Sequence, residues 1–115
     1  MNIKTILLVE DNAQDEMLTL RALRRANLAN RIDVIRDGQQ ALDYLFQEGE
    51  FNDREDFYLP TIVLLDIGLP RLSGLEVLAR LRADSRTELL PVVILTSSDE
   101  EIGRASCRER VCYAV

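Results

Sequence analysis

Three carboxylates and one hydroxyl stand where apolar runs of this sequence stop. Glu10 and Asp11 follow Ile3–Val9, Asp66 follows Thr61–Leu65, and Thr96 follows Val92–Leu95. Taken singly, an acid or a threonine between a strand and a helix serves as a helix cap. Taken together they imply more. If the runs are parallel strands, all four side chains converge at one edge of a sheet, where open α/β sheets keep their ligand sites. Two carboxylates about 5 Å apart repel by about 3 kcal/mol at an effective dielectric near 20. Three such pairs oppose folding by roughly 10 kcal/mol if all stay ionised. Either a proton or a cation must intervene. Oxygen-only ligands at a partly open site suit Mg²⁺, which keeps several waters and accepts a phosphate oxygen. Beside such an ion a carboxylate can accept a phosphoryl group as an acyl phosphate. Asp66 is the expected acceptor, because its strand is the most apolar and hence central. Glu10 and Asp11 are the expected metal pair, and the Thr96 hydroxyl the group that bonds the phosphoryl oxygens.

The elements that must position these groups are legible from periodicity. Ile62–Leu65 is continuously apolar and is closed by Asp66, Gly68 and Pro70, as in a strand buried on both faces. Ile3–Val9 is a second such run. After it, Met17, Leu20 and Leu23 recur at helical spacing. Asp15 and Glu16 lie in that helix's first turn and Arg21, Arg24 and Arg25 in its last, as the helix dipole favours. Arg31–Ile35 reads as a strand that Asp37-Gly38 breaks, and Ala41, Leu42, Leu45 and Phe46 give another helical face. Gly49–Pro60 is an acidic loop whose Phe51, Phe57 and Tyr58 should pack. Ser73-Gly74-Leu75-Glu76 is a capping box, with Leu75, Leu78 and Leu81 expected to face inward. Asp84–Leu90 is a loop, Val92–Leu95 a strand, and Ser98–Glu101 a second capping box that should open a fourth helix. Strands alternating with amphipathic helices predict an α/β, doubly wound parallel sheet.

The 115 residues suffice for one domain, and 47% hydrophobic content can build a core. The net charge of −6 disfavours nucleic acid and anionic membrane as partners. No histidine is present, which excludes His-based catalysis and His-ligated metal. The N-terminal apolar run is too short for a signal peptide or a membrane span, so a cytoplasmic protein is expected. Both cysteines, Cys107 and Cys112, fall in the last nine residues and match no zinc or redox spacing. Residues 1–101 carry a net charge of −8, whereas the last fourteen carry +2. Ile102–Cys112 also resembles the conceptual translation of a sequencing adapter. Residues 3–101 are therefore expected to form the domain, incomplete at its C-terminus, and residues 102–115 a non-native tail.

The segments ILLVEDN (Ile6–Asn12), RDGQQAL (Arg36–Leu42), IVLLDIGLPRLSGLEVL (Ile62–Leu78) and PVVILTSS (Pro91–Ser98) resemble, in order and spacing, the receiver domain of two-component response regulators. The resemblance covers nearly all of 3–99. It implies a flavodoxin-like receiver fold, here lacking the fifth strand and fifth helix. It implies Asp66 as phosphoacceptor, Glu10, Asp11 and Asp66 as Mg²⁺ ligands joined by the main-chain carbonyl of Gly68, and Thr96 as the switch residue. It implies a sensor histidine kinase as partner. The Gly49–Pro60 insertion is similar to that of single-domain receivers paired with phytochrome-type kinases. The family's phosphoryl-contacting lysine at the end of the fifth strand has no counterpart, since the sole lysine is Lys4. With a strand and a helix missing, one of the two alternating sets that contain Ile6, Leu8, Ile62 and Leu64 should lose its cover.

Two other readings compete. The missing lysine and strand favour a phosphorylation-independent interaction module or an inactive fragment. An enzyme with an aspartyl nucleophile, such as a phosphohydrolase, needs a second acid two residues after it, where Gly68 stands; a signalling protein rather than an enzyme is expected. Nucleotide-binding glycine motifs are absent from the sequence.

Overall fold

A computed structural model of the chain describes residues 4–26, 30–51 and 59–95, and the backbone of residues 111–114. Strands β1 (Thr5–Val9), β2 (Arg31–Ile35), β3 (Ile62–Asp66) and β4 (Val92–Leu95) run parallel. Helices α1 (Ala13–Arg25), α2 (Gly38–Phe46) and α3 (Gly74–Arg82) connect with them in the expected alternation. A fifth strand, β5 (Val111–Ala114), completes the order β2-β1-β3-β4-β5. The sequence reading placed no strand there. β5 lies in the stretch set apart as a tail, and it pairs antiparallel with β4, Val111 opposite Leu95. The pairing has a plain cause: it satisfies backbone groups along an edge of β4 that would otherwise be open. The fourth helix expected from Ser98 lies outside the described residues.

Each helix starts where a side chain can satisfy its free amides. Asn12 accepts from the Asp15 amide at 2.9 Å, Asp37 from Gln40 at 2.8 Å and Ser73 from Glu76 at 3.3 Å. Ser73 Oγ also donates to Glu76 Oε1 at 3.4 Å, a side-chain contact between the two residues of the expected capping box. Helix α2 ends at Gln47, whose left-handed backbone (φ 56°) turns the chain into a 3₁₀ turn at Gly49–Phe51. Phe51 meets Tyr44 edge-on with ring centroids 5.4 Å apart, so this part of the acidic loop packs. Phe57 and Tyr58 lie outside the described residues.

The period of two sorts the strand residues between two layers. Leu7, Val9, Val63, Leu65, Val92 and Ile94 pack with Ala41, Leu42 and Leu45 of α2 and Val77 and Leu81 of α3. Leu8, Val93 and Leu95 face the other way, against Leu20 of α1 and the partly buried Ile62 and Leu64. The two faces are unequally filled among the described residues. No residue of α1 is fully buried, Met17 and Leu18 are exposed, and an apolar cavity of about 470 Å³ opens between α1 and Leu64, Val93 and Leu95. One inward assignment fails. Leu75 is exposed, because with Ser73 as N-cap the buried stripe of α3 is Gly74, Val77 and Leu81.

Two glycines set how closely the second layer approaches the sheet. A Cβ on Gly74 would collide with the Asp66 carbonyl oxygen and stand 2.9 Å from Ile67 Cα. A Cβ on Gly38 would collide with the Leu72 carbonyl oxygen. The N-terminus of α3 thus rests directly on the backbone of Asp66 and Ile67, and that of α2 on Leu72 at the end of the following loop. Gly74→Ala gains helix propensity of about 1 kcal/mol, but overpacking against backbone outweighs it by forcing α3 off β3. We expect a net loss of roughly 1–3 kcal/mol in urea unfolding, against a change within about 0.5 kcal/mol for the exposed Leu75→Ala. Equal midpoints for the two variants would contradict the close contact.

Candidate functional site

Register brings the acids together. β1 and β3 are hydrogen-bonded neighbours with Val9 opposite Leu65, so the next residues, Glu10 and Asp66, stand side by side at the carboxyl edge of the sheet. Glu10 is held there by its own amide, which donates to the Ile35 carbonyl at 2.9 Å. Asp11 follows it into the loop that Asn12 caps. One carboxylate oxygen from each of Glu10, Asp11 and Asp66 can be chosen so that all three lie within 4.8 Å of one another. Glu10 is buried, Asp66 half-buried and Asp11 exposed. Gly68 lies two residues beyond Asp66 and donates its amide to Asp66 Oδ1 at 3.3 Å. Thr96 is outside the described residues; its neighbour Leu95 pairs with Asp66.

The electrostatics reflect this crowding. Glu10 is 1% exposed. Burial, then the hydrogen bond to Asp66 and that group's charge, push its carboxyl from 4.5 up to about 8, although the Asn12 amide (3.2 Å from Oε2) pulls the other way. No ion pair among the described residues reaches any of the three acids. Lys4 precedes β1 at the opposite rim, where its carbonyl accepts from the Arg31 amide. An all-oxygen set with a buried carboxyl that holds its proton for want of a countercharge fits a divalent cation.

The loop after β3 is anchored by Ile67, Leu69 and Leu72, all buried. Sequence reasoning missed how it is tied sideways. Arg71 adopts φ 65° and extends its guanidinium to Asp37 Oδ2 at 2.7 Å. In the sequence Asp37 reads as a strand breaker, and its place before an amphipathic helix marks it as a cap, but nothing local signals Arg71 arriving from 34 residues away.

Protonation of Glu10 gives a signed pH dependence. The folded value lies above the unfolded one, so the native state binds the extra proton between about pH 4.5 and pH 8 and stability falls as pH rises through that window. Metal-free wild type should therefore melt lower at pH 8 than at pH 5, and Glu10→Gln should flatten the slope and raise the melting temperature at pH 8. Parallel pH profiles for the two proteins would contradict the assignment.

Comparison with known proteins places this geometry in a family. The profile of the response regulator receiver domain matches residues 6–110. The chain is 45% identical over 103 residues to a probable methanogenesis regulatory protein, FilR2, of Methanothrix harundinacea, covering 87% of this chain and 63% of that one. The chain thus spans less than two thirds of that relative's length. It superposes on the bacteriophytochrome response regulator RtBRR with a TM-score of 0.79 at 52% identity, over 84% of this chain and 58% of the other. The phosphorylated cyanobacterial phytochrome response regulator RcpA (TM-score 0.75, 38% identity, 86% and 69% covered) is similar too. So is the Mn²⁺-bound form of the response regulator Rcp1 (TM-score 0.75, 37% identity, 85% and 68% covered). Such domains are signalling modules of two-component systems rather than enzymes. Four parallel strands in the receiver order, three helices and the acid cluster agree with that match, and the chain belongs to the response regulator receiver domain family.

Proposed function

We propose that this receiver accepts a phosphoryl group on Asp66 from the phosphohistidine of a sensor histidine kinase in the cytoplasm. A carboxylate oxygen of Asp66 attacks phosphorus as the bond to the donor nitrogen breaks, leaving an acyl phosphate on the protein and the imidazole on the kinase. The observation that carries this reading is the convergence of Glu10, Asp11 and Asp66 within 4.8 Å. Mg²⁺ is the cation that suits this oxygen-only set; those carboxylates and the Gly68 carbonyl would hold it, and it would neutralise charge on the transferring group. Glu10 and Asp11 would then keep it beside Asp66. The Gly68 amide, already on Asp66 Oδ1, orients the acceptor. Thr96 is the residue that senses the new phosphoryl oxygens. The likeness to bacteriophytochrome and cyanobacterial phytochrome response regulators supports a phytochrome-type kinase as donor. No helix among the described residues is long and apolar enough to cross a membrane.

One observation favours a second reading, a receiver-like interaction module that works without phosphorylation. The sole lysine of these 115 residues, Lys4, adjoins the start of β1 and not its acidic end, so it does not stand beside the carboxylates to share the charge of an acyl phosphate. Incubation with acetyl phosphate separates the two. The phosphoacceptor reading expects a gain of one phosphoryl mass that needs Mg²⁺, is lost with hydroxylamine, and is absent in Asp66→Asn. A protein that unfolds cooperatively yet gains no Mg²⁺-dependent mass would establish the second reading.

A further inference from the structure

Arg71 stands in the left-handed region at φ 65°, a conformation that suits glycine and costs a residue with a Cβ. It is one of two non-glycine residues with positive φ among those described, and the other, Gln47, ends a helix. Arg71 ends none. It follows Pro70 in the exposed part of the loop between β3 and α3, and most of its side chain is in solvent. The side chain nevertheless has one firm partner, Asp37 Oδ2 at 2.7 Å. Asp37 divides its two oxygens: Oδ1 caps α2 by accepting from Gln40, and Oδ2 takes the guanidinium. Burial disfavours its charge, but the Arg71 bond and the Gln40 amide outweigh that and hold its carboxyl below the ordinary value.

We propose that Arg71 is a positioning residue. Its bond to Asp37 fastens the loop of residues 67–72 to the N-terminus of α2 and thereby sets where Gly68 stands relative to Asp66. The inference rests on the phosphoacceptor reading and adds a residue to it. Three contacts support it. The loop already touches α2, since a Cβ on Gly38 would strike the Leu72 carbonyl oxygen. Its start is tied to the start of α3 by the Gly74 amide, which donates to the Ile67 carbonyl at 3.1 Å. Between these points the exposed Gly68–Arg71 stretch has Leu69 as its buried anchor, and Arg71–Asp37 is a lateral tie to a separate element. Groups that orient a metal ligand from behind change affinity without touching the ion.

Asp37→Asn is the informative variant. Asparagine caps a helix as well as aspartate does, so α2 keeps its start while the ion pair is lost. Arg71→Gly removes the same pair from the other side and relieves the backbone. Mg²⁺ affinity, followed by titration of the metal-free protein, should fall about tenfold in each. The double variant should fall no further than either single one, and Arg71→Lys should recover part of the loss by keeping the charge. Exchange of the Gly68 amide in metal-free protein should quicken in both single variants, with urea midpoints near that of wild type. Wild-type affinity in Asp37→Asn, or losses that multiply in the double variant, would overturn the role of Arg71 while leaving the phosphoacceptor reading intact. A wild-type protein with no affinity for Mg²⁺ would overturn that reading and this inference together.

Discussion

The constraint on which this molecule depends is the parallel pairing of β1 with β3. It places a buried glutamate and a half-buried aspartate side by side on adjacent strands, with no ion pair to either among the described residues. A sheet that only needed to fold would not gather three carboxylates at one edge, because their repulsion opposes the pairing that makes the core. Burial and the neighbouring Asp66 push the Glu10 carboxyl up to about 8, which favours a proton there in the absence of metal. The same crowding that burdens the fold would be relieved by a divalent cation, which ties the proposed site to the stability of the sheet.

The rest of the structure holds that edge in place. Leu7, Val9, Val63 and Leu65 are fully buried, which leaves β1 and β3 no freedom to slip in register. A slip of one residue would turn every strand side chain to the wrong layer and would separate Glu10 from Asp66. Gly74 brings the N-terminus of α3 onto the backbone of Asp66, and Gly38 brings that of α2 onto Leu72. Among the described residues the layer of α2 and α3 is the better filled, since α1 has no fully buried residue and a cavity of about 470 Å³ lies under it.

Much of this was legible in the sequence because it is local. Continuous apolar runs, helical stripes and caps each leave a signature within a few residues, and the strand bounds at Arg31–Ile35 and Val92–Leu95 agree with those signatures. The convergence of Glu10, Asp11 and Asp66 followed from one further step, the rule that parallel strands share a carboxyl edge. What was not legible depends on tertiary context. The exposure of Leu75 reflects which stripe of α3 faces the sheet, Gly74, Val77 and Leu81, since its spacing from Leu78 and Leu81 fits an inward stripe equally well. The antiparallel β5 depends on an open edge that no local pattern announces. The bond from Arg71 to Asp37 joins residues 34 apart through a positive φ that the residue type argues against.

Calorimetry on the metal-free protein at pH 7 tests the central claim most directly. Mg²⁺ is titrated in two buffers of different ionisation enthalpy, which separates binding from proton release. If the three acids form a cation site whose buried member is protonated in the absence of metal, Mg²⁺ binds and the apparent enthalpy differs between buffers by the release of close to one proton, and Glu10→Gln abolishes that difference. Absence of saturable binding, or binding with the same enthalpy in both buffers, would contradict it.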